Sequence, residues 1–380
     1  MIARANNIAF DGEVAAACLH YVPGESKIPE ILLEAEGVED LRRKLLDLDG
    51  FYSGVWVSPQ ILAFFRDHVG HMPLAYRRIG DQSFAAALER QALNFEAEQL
   101  QPGVILLLRK EKIEVVKWYA PKVKAVKDPI REISEALIRV VERYVPAECV
   151  LAFSGGLDSS LLAHLALRCG KRIETIVIGS KDCLDHEWAI EAADSLGLNV
   201  RRITIGDDEL LDVVKILEKN LPKKSSMDFA IASIFYLTSK NSSGKPVITG
   251  QGSDELFGGY WKYANAFEKN GIEAAAELMR RDVENIHVAN LERDELATAL
   301  AGSNLIAPYL ARRIYELALS TAPELKLKKV DGQIVRKWIL REAGKSLDLP
   351  RNLTERPKKA AQYSSGLLKR IRTLKRTSLS

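Results

Sequence analysis

A loop at residues 154–160 constrains this chain more than any other segment. It reads Ser-Gly-Gly-Leu-Asp-Ser-Ser and follows residues 149–153, a continuous apolar run typical of a strand that is covered on both faces. A helical pattern over residues 161–167 comes next. Open α/β sheets bind ligands beyond the carboxyl ends of their strands. The unit therefore predicts such a sheet, with a ligand site at its edge.

The residue types in this loop predict a phosphate site. Two adjacent glycines let the backbone approach phosphate oxygens, and the amides at the helix start can donate to them together with the hydroxyls of Ser154, Ser159 and Ser160. The carboxylate of Asp158 is explained if a divalent cation bridges it to the phosphates. A capped helix start is the structural alternative, but the complete pattern favours the phosphate site. A Walker A loop is excluded, because no Gly-Lys-Ser/Thr follows.

A second glycine-rich loop, residues 249–260, reads Thr-Gly-Gln-Gly-Ser-Asp-Glu-Leu-Phe-Gly-Gly-Tyr and also follows a short apolar strand. Four glycines in one loop lower folding stability, and the close approach of a ligand explains them. We expect Gly250 and Gly252 to lie against that ligand. Asp254 can supply a second carboxylate to the cation held by Asp158.

The order of patterns predicts two domains of different class. Up to about residue 118 the chain is rich in strands, with hairpins over residues 51–65 and 104–119. From residue 149 strands alternate with helices, which predicts an α/β fold with a doubly wound parallel sheet, and beyond about residue 260 the pattern is mostly helical. The predicted segments are a β-rich domain (1–120), a linker (121–128), the α/β domain with its helical C-terminal extension (129–368) and a basic tail (369–380).

The basic tail is the strongest charge asymmetry in the chain. No acidic residue follows Glu355, whereas lysine and arginine are frequent from Lys369 onward. Such tails can contact nucleic acid, but a solvated, poorly ordered tail is the commoner outcome. We expect the latter, and no nucleic-acid partner.

Composition excludes several classes of protein. Hydrophobic residues make up 47% of the chain, yet no apolar run approaches the roughly 18 residues of a membrane span. The N-terminus lacks the layout of a secretory signal, so we expect a cytoplasmic location and no membrane partner. No two of the four cysteines have the short spacing of a zinc-binding or redox motif, so we expect reduced thiols. They are Cys18, Cys149, Cys169 and Cys183.

Together the two loops resemble the asparagine synthetase family of the glutamine-hydrolysing type, whose synthetase domain is an N-type ATP pyrophosphatase. The segment 356–359, Arg-Pro-Lys-Lys, is similar to the family's late Arg-x-Lys segment. Asp-Gly-Phe at 49–51 and residues 66–74 are similar to its glutaminase domain. The resemblance implies an adenine nucleotide α-hydrolase-like domain, preceded by a domain like an Ntn-hydrolase glutaminase.

The resemblance also implies a reaction. The side-chain carboxylate of aspartate, or a similar carboxylate, would attack the α-phosphate of ATP and release pyrophosphate, and ammonia would then displace AMP. Asp158 and Asp254 would hold Mg²⁺, Lys358 would face the phosphates, and Gln251 would stand beside the amine. A homodimer is the suggested assembly. The residues implied to bind the nucleotide are Ser154, Gly155, Gly156, Leu157, Asp158, Ser159, Ser160, Val177, Gly250 and Gly252.

Three departures concern nitrogen delivery. The family's glutaminase nucleophile is a cysteine at position 2, where this chain has Ile2, so we expect no glutaminase activity and free ammonia as the nitrogen source. Gln251 replaces an acid and cannot take a proton at neutral pH. In residues 302–311 the family's three charged positions are neutral; these are Asn304, Ile306 and Ala311.

Three hypotheses remain open. An ammonia-dependent asparagine synthetase-like ligase requires aspartate and ammonia for pyrophosphate release. A related adenylating enzyme would instead respond to another carboxylate or amine. A non-catalytic nucleotide-binding paralogue would bind ATP and release no pyrophosphate with any amino acid.

Overall fold

The computed structural model describes residues 7–11, 14–79, 84–94, 96–109, 112–181, 183–357 and 364–377. These residues form two compact units. The first comprises the described part of Met1–Pro121 together with Ile286–Glu295, and the second comprises that of Lys122–Asn285 and Leu296–Ser380. The short segment 286–295 thus belongs with residues from which the 164 positions 122–285 separate it.

The first unit is built on two antiparallel sheets. Six strands follow one another in the order β1-β2-β3-β4-β8-β9, and three more in the order β6-β5-β7. Both predicted hairpins are present, as β3–β4 and β8–β9. The strands are β1 (Asn7–Asp11), β2 (Val14–Tyr21), β3 (Phe51–Ser58), β4 (Ile61–Arg66), β5 (Ala75–Arg78), β6 (Phe84–Ala87), β7 (Glu98–Gln99), β8 (Val104–Arg109) and β9 (Lys112–Lys117), with helices α1 (Ile28–Leu33) and α2 (Val38–Asp47) between β2 and β3.

A buried arginine organises the loops beyond β4. The fully buried guanidinium of Arg66 donates three hydrogen bonds, each 2.7 Å long, to the carbonyl oxygens of Gly70, Met72 and Leu100.

In the same unit Glu292 accepts two hydrogen bonds of 2.6 Å from Arg90 and one of 3.0 Å from Gln99. Segment 286–295 is therefore bonded into this unit by a buried carboxylate.

The second unit contains the predicted parallel sheet. Its strands follow the order β12-β11-β10-β13-β14, and every neighbouring pair is parallel. The chain moves outward from β10 in one direction and then returns to its other side at β13, so the order reverses between β10 and β13. The strands are β10 (Glu148–Ala152), β11 (Arg172–Gly179), β12 (Val200–Thr204), β13 (Val247–Ile248) and β14 (Leu305–Ile306), and a separate hairpin is formed by β15 (Leu327–Val330) and β16 (Gln333–Arg336).

Helices fill the rest of this part of the chain. The sequence explains their starts: Asp128 caps α3 by accepting from the amide of Arg131, and Ser225 caps α7 in the same way. A π-helical turn, His287–Leu291, separates α10 from α11. The helices are α3 (Pro129–Tyr144), α4 (Leu157–Arg168), α5 (Leu184–Leu196), α6 (Asp207–Asn220), α7 (Ser226–Lys240), α8 (Ser253–Phe257), α9 (Trp261–Asn270), α10 (Ile272–Ile286), α11 (Glu292–Leu300), α12 (Arg312–Ser320), α13 (Pro323–Lys326), α14 (Trp338–Ser346), α15 (Arg351–Thr354) and α16 (Leu367–Thr377).

The parallel sheet is covered by helices, as its apolar sequence requires. Helices α4 and α7 both pack against β10 and β11, and α5 packs against β11 and β12. Val150, Leu151 and Val177 are at most 3% exposed. The predicted doubly wound α/β fold is confirmed. No helix in the described ranges is long and apolar enough to cross a membrane.

The expectation of a solvated, poorly ordered tail from Lys369 is wrong for residues up to 377. They lie in helix α16, which packs against α6 and α7. Leu368 and Ile371 are buried, while Arg370 donates to the carboxylate of Asp207 and to the carbonyl of Ile205. Apolar spacing on one face thus outweighs the high charge of this segment. Residues 378–380 lie outside the described ranges.

The buried thiols carry a prediction. Burial raises the pKa of Cys18 and of Cys149 to about 12, and the charge of Glu30 adds to the effect at Cys18. Because only the thiolate reacts, about one such thiol in ten thousand is reactive at pH 8. We expect iodoacetamide to modify both at pH 8 far more slowly in the native protein than in urea, with the more exposed Cys169 reacting first. Mass spectrometry of the alkylated peptides measures this; equal rates in both states would contradict it.

Candidate functional site

Both glycine-rich loops lie where the strand order reverses. Residues 154–160 connect β10 to α4, and residues 249–252 connect β13 to α8. Because β10 and β13 are parallel neighbours, the two loops leave the same edge of the sheet, side by side. This reversal point is the preferred ligand site of doubly wound sheets.

The first loop places hydroxyl and amide donors close together. The Oγ atoms of Ser154 and Ser159 are 3.4 Å apart, and the Gly156 amide lies 3.4 Å from the Ser154 Oγ. Ser160 is fully buried, and its hydroxyl has no hydrogen-bond partner among the residues that the structure describes. A buried hydroxyl without a partner is uncommon. These donors suit the oxygens of a phosphate group at the start of α4.

Gly155 is required by the path of the first loop. Its φ is +66°, and a Cβ placed on it would lie 2.2 Å from the carbonyl oxygen of Trp188 in α5. Gly197, at the end of α5, also has a φ of +66°, but nothing lies within 4 Å of its Cβ position. Alanine substitutions at the two glycines therefore separate the effect of the left-handed backbone from the effect of the close contact with α5.

We expect Gly155→Ala to be the more damaging of two matched substitutions. Gly197→Ala should lower the free energy of unfolding by about 1–2 kcal/mol, the strain of a left-handed alanine. Gly155→Ala should lose about 1–3 kcal/mol more, because the helix or the loop must move away. Urea unfolding of both variants measures the difference. Equal losses would mean that the loop is not packed against α5 as described.

The acids of the two loops meet at a lysine from the far end of the chain. The side chain of Lys337 is 1% exposed, and its Nζ lies 2.7 Å from the Asp158 Oδ1 and 2.5 Å from the Asp254 Oδ1. The Ser253 Oγ accepts from this Nζ at 2.7 Å and donates to the Asp158 Oδ1 at 2.7 Å. We call Asp158, Ser253, Asp254 and Lys337 the carboxylate–lysine cluster. With one lysine between two carboxylates, the cluster keeps an excess of negative charge when both acids are ionised.

Gly259 allows the lysine to reach the cluster. A Cβ on this residue would lie 1.9 Å from the Asp254 Oδ1 and 2.2 Å from the Cε of Lys337. Lys337 itself has a φ of +55° and directly precedes α14, so its backbone conformation is one that lysine seldom adopts. The close packing at Gly259 and the backbone strain at Lys337 thus both occur where the Lys337 ammonium enters the cluster. Such strain is typical of functional sites.

Two tyrosines and a glutamate surround the cluster. The Tyr309 hydroxyl donates to the carbonyl oxygen of Asp158 at 3.1 Å, and the Tyr260 hydroxyl donates to Glu255 at 2.6 Å. Burial, reinforced by the charge of Asp254, raises the pKa of Glu255 to about 7. Burial also raises the pKa of Tyr309, so it remains a neutral donor.

The structure brings several of the predicted residues together and adds one that the sequence did not single out. Asp158 and Asp254 share one ammonium group, but that group belongs to Lys337. The predicted lysine, Lys358, lies outside the described residues. The side chain of Val177 is buried in β11, and Gln251 is half-buried, with its backbone N–H donating to the Thr249 Oγ1 at 3.3 Å.

The neutral segment 302–311 borders the same site. Ile306, in β14, and Ala311 are both fully buried, whereas Asn304 is exposed. Two positions that carry charge in the resembling family are therefore occupied by buried apolar side chains. The parts of the chain that the structure describes contain no group of three or more His, Cys, Asp or Glu side chains arranged to hold a metal ion. A cation at Asp158 and Asp254 would need further ligands from a bound molecule.

Comparison with known proteins identifies relatives of this chain. The asparagine synthase family model matches residues 132–272 and 265–380. A Methanocaldococcus jannaschii protein, named provisionally as a glutamine-hydrolysing asparagine synthetase, is 29% identical over 85% of this chain and 70% of its own length. Glutamine-hydrolysing asparagine synthetase 3 of Arabidopsis thaliana is 28% identical over 84% of this chain and 59% of its own length. The chain thus spans less than two thirds of the plant relative.

Among solved structures, NMN synthetase from Francisella tularensis is 16% identical, with 66% of this chain and 87% of that chain covered and a TM-score of 0.35. This TM-score is below that of chains with a common overall fold. The family assignment comes from the sequence matches, and the parallel sheet from the strand pairing described above.

Proposed function

The chain belongs to the asparagine synthase family, and on that premise we propose that it is a carbon–nitrogen ligase that activates a carboxylate with ATP. The carboxylate would attack the α-phosphorus and release pyrophosphate, and ammonia would then attack the acyl carbon and release AMP. Aspartate, acting through its side chain, is the proposed acid and asparagine the product. The observation that supports this most directly is the carboxylate–lysine cluster at the reversal point of the sheet.

The residues of the cluster suit the activation step. Negative charge develops on the departing pyrophosphate, and preorganised donors aimed at such charge are usually the largest catalytic contribution. Lys337 supplies a buried ammonium, while Ser154, Ser159 and the amide of Gly156 supply hydrogen-bond donors. Lys358, the first residue after the described segment that ends at Pro357, is the second lysine that we propose for the phosphates. No protein nucleophile is required.

Mg²⁺ fits the same residues. Asp158 and Asp254 each present carboxylate oxygens beside the Lys337 ammonium, and phosphate oxygens complete the coordination of Mg²⁺ in sites of this type. When bound, the ion would supply positive charge to the phosphate oxygens. The two carboxylates would hold it, and Ser253 orients Asp158 through its hydrogen bond.

The residues proposed to face the carboxylate substrate and the amine favour a different substrate. Ile306 and Ala311 are buried and neutral, so neither can pair with a charged substrate group. Gln251 can orient an amine but cannot accept its proton at neutral pH. These residues favour, as the second candidate, an adenylating ligase of the same mechanism whose carboxylate or amine differs from aspartate and ammonia.

A pyrophosphate-release assay over a panel of amino acids tests both candidates. Release that requires aspartate and ammonium supports the first, and release with another acid and none with aspartate supports the second. Because free ammonia is the proposed nitrogen source, glutamine as the sole nitrogen source should give no product. ATP binding without release for any acid would leave a non-catalytic nucleotide-binding protein.

A further inference from the structure

Three arginine side chains connect the two loops through backbone carbonyl groups. Arg336 donates to the carbonyl oxygen of Gly259 at 2.9 Å. Arg341 donates to those of Arg336 at 2.9 Å, Thr354 at 2.5 Å and Arg356 at 3.0 Å. Arg356 donates to those of Gly155 and Trp188, both at 2.8 Å. The chain of contacts runs from the second loop, past Lys337, to the first loop.

Two of these hydrogen bonds fix peptide groups that belong to the proposed site. In a trans peptide the C=O and the N–H point in opposite directions. Because Arg356 fixes the carbonyl of Gly155, it also directs the N–H of Gly156 to the other side, where the Ser154 hydroxyl lies. Arg341 likewise fixes the carbonyl of Arg336, which immediately precedes the strained Lys337.

The chemistry of arginine suits this role. A guanidinium is planar and carries five donors in a fixed geometry, so one side chain can hold several carbonyl groups at set positions relative to one another; the three donors of a lysine ammonium lack this fixed planar arrangement. Arg356 is 6% exposed and also lies 2.9 Å from the Glu191 carboxylate. Burial lowers the pKa of Arg341, yet an arginine remains charged at neutral pH.

We propose that Arg341 and Arg356 are positioning residues that act as one unit: the first holds Lys337, the second holds the phosphate loop, and their direct contact couples the two. This inference rests on the proposed function for its catalytic consequence. The contact between the Arg341 guanidinium and the carbonyl of Arg356 makes the unit a connected one. Neither side chain need touch a substrate.

Lysine substitutions test the unit, because lysine keeps the positive charge but lacks the five donors in fixed planar geometry that a guanidinium carries. Arg341→Lys and Arg356→Lys should each lower kcat/KM for ATP about 10²-fold, the usual effect of displacing reactive groups by about 1 Å. Independent contributions would multiply to about 10⁴-fold in the double variant. A single unit predicts a double variant within about threefold of the weaker single variant. Arg351→Lys is the matched control, since its side chain is 85% exposed and pairs with Glu355 on the surface.

Amide hydrogen exchange separates positioning from a general loss of structure. Both variants should speed exchange in a peptide covering residues 154–160, while exchange in α7 stays at the wild-type rate. A double variant that multiplies the two single effects would overturn the coupling, as would activity losses that follow only the fraction of folded protein. If wild-type protein releases no pyrophosphate with any acid, the proposed function fails. The unit is then judged by loop exchange and by the Kd for MgATP, and wild-type values of both in the variants would overturn it.

Discussion

Lys337→Met should lower pyrophosphate release about 10²–10³-fold and also destabilise the protein, the largest combined effect that we expect from one substitution. The variant leaves two largely buried carboxylates, whose side chains are 13% and 18% exposed, facing each other without their common cation. Breaking a buried ion pair by removing one partner lowers the free energy of unfolding by about 3–5 kcal/mol. Loss of a preorganised donor to developing charge lowers kcat by about 10²–10³-fold. Urea unfolding and the pyrophosphate assay measure the two effects.

Magnesium provides the decisive control for this variant. If Asp158 and Asp254 can hold a divalent cation, added Mg²⁺ should raise the Tm of Lys337→Met by more than it raises that of the wild type, because the ion binds the folded state where the ammonium is missing. Lys345→Met, in the helix α14 that Lys337 precedes and 47% exposed, should behave like the wild type in both measurements. A Lys337→Met protein with wild-type stability and activity would remove the cluster from the site.

Asp158→Asn should lower pyrophosphate release by at least about 10³-fold while leaving most of the stability intact. The substitution keeps the shape of the side chain and removes the charge that both Lys337 and a bound cation would use. Lys337 keeps Asp254 and Ser253 as partners, so the free energy of unfolding should fall by only about 1–2 kcal/mol. The contrast with Lys337→Met, which loses both, identifies the acid as functional and the lysine as functional and structural.

Asp212→Asn is the matched control for this substitution. Asp212 is 71% exposed and pairs with Lys215 on the surface of α6, so its loss should change neither activity nor stability measurably. Steady-state release with saturating ATP, followed by titration of Mg²⁺, completes the comparison. Activity retained in Asp158→Asn would disprove the assignment of the first loop as the phosphate site.

The sequence was sufficient for the part of the sheet from β10 to β13 and for both loops, for identifiable physical reasons, whereas β14 lies where a mostly helical pattern was predicted. Strand–loop–helix units have short-range signals: the apolar run before Ser154, the adjacent glycines, and the helical spacing after Asp158. The carboxyl ends of parallel strands then place the second loop beside the first. Nothing beyond local pattern was needed for this part.

Lys337 could not be found by the same route. It is separated from Asp158 by 179 positions and precedes an ordinary amphipathic helix, so no spacing connects it to either loop. The one available signal was chemical, since two adjacent acids in a buried loop require a cation. The helix at 367–377 had a signal that charge obscured: Leu367, Leu368 and Ile371 share one helical face. Whether Lys358 joins the cluster stays a prediction.

The composition of the first unit has a consequence for protein synthesis. Residues 286–295 belong to this unit, and Glu292 is the buried partner of Arg90 and Gln99. A nascent chain that has reached Pro121 therefore still lacks part of its first folded body. At about 5–20 residues per second, the ribosome needs ~9–35 s more to deliver that part. In that interval Arg90 and Gln99 lack the buried carboxylate to which they donate in the finished protein.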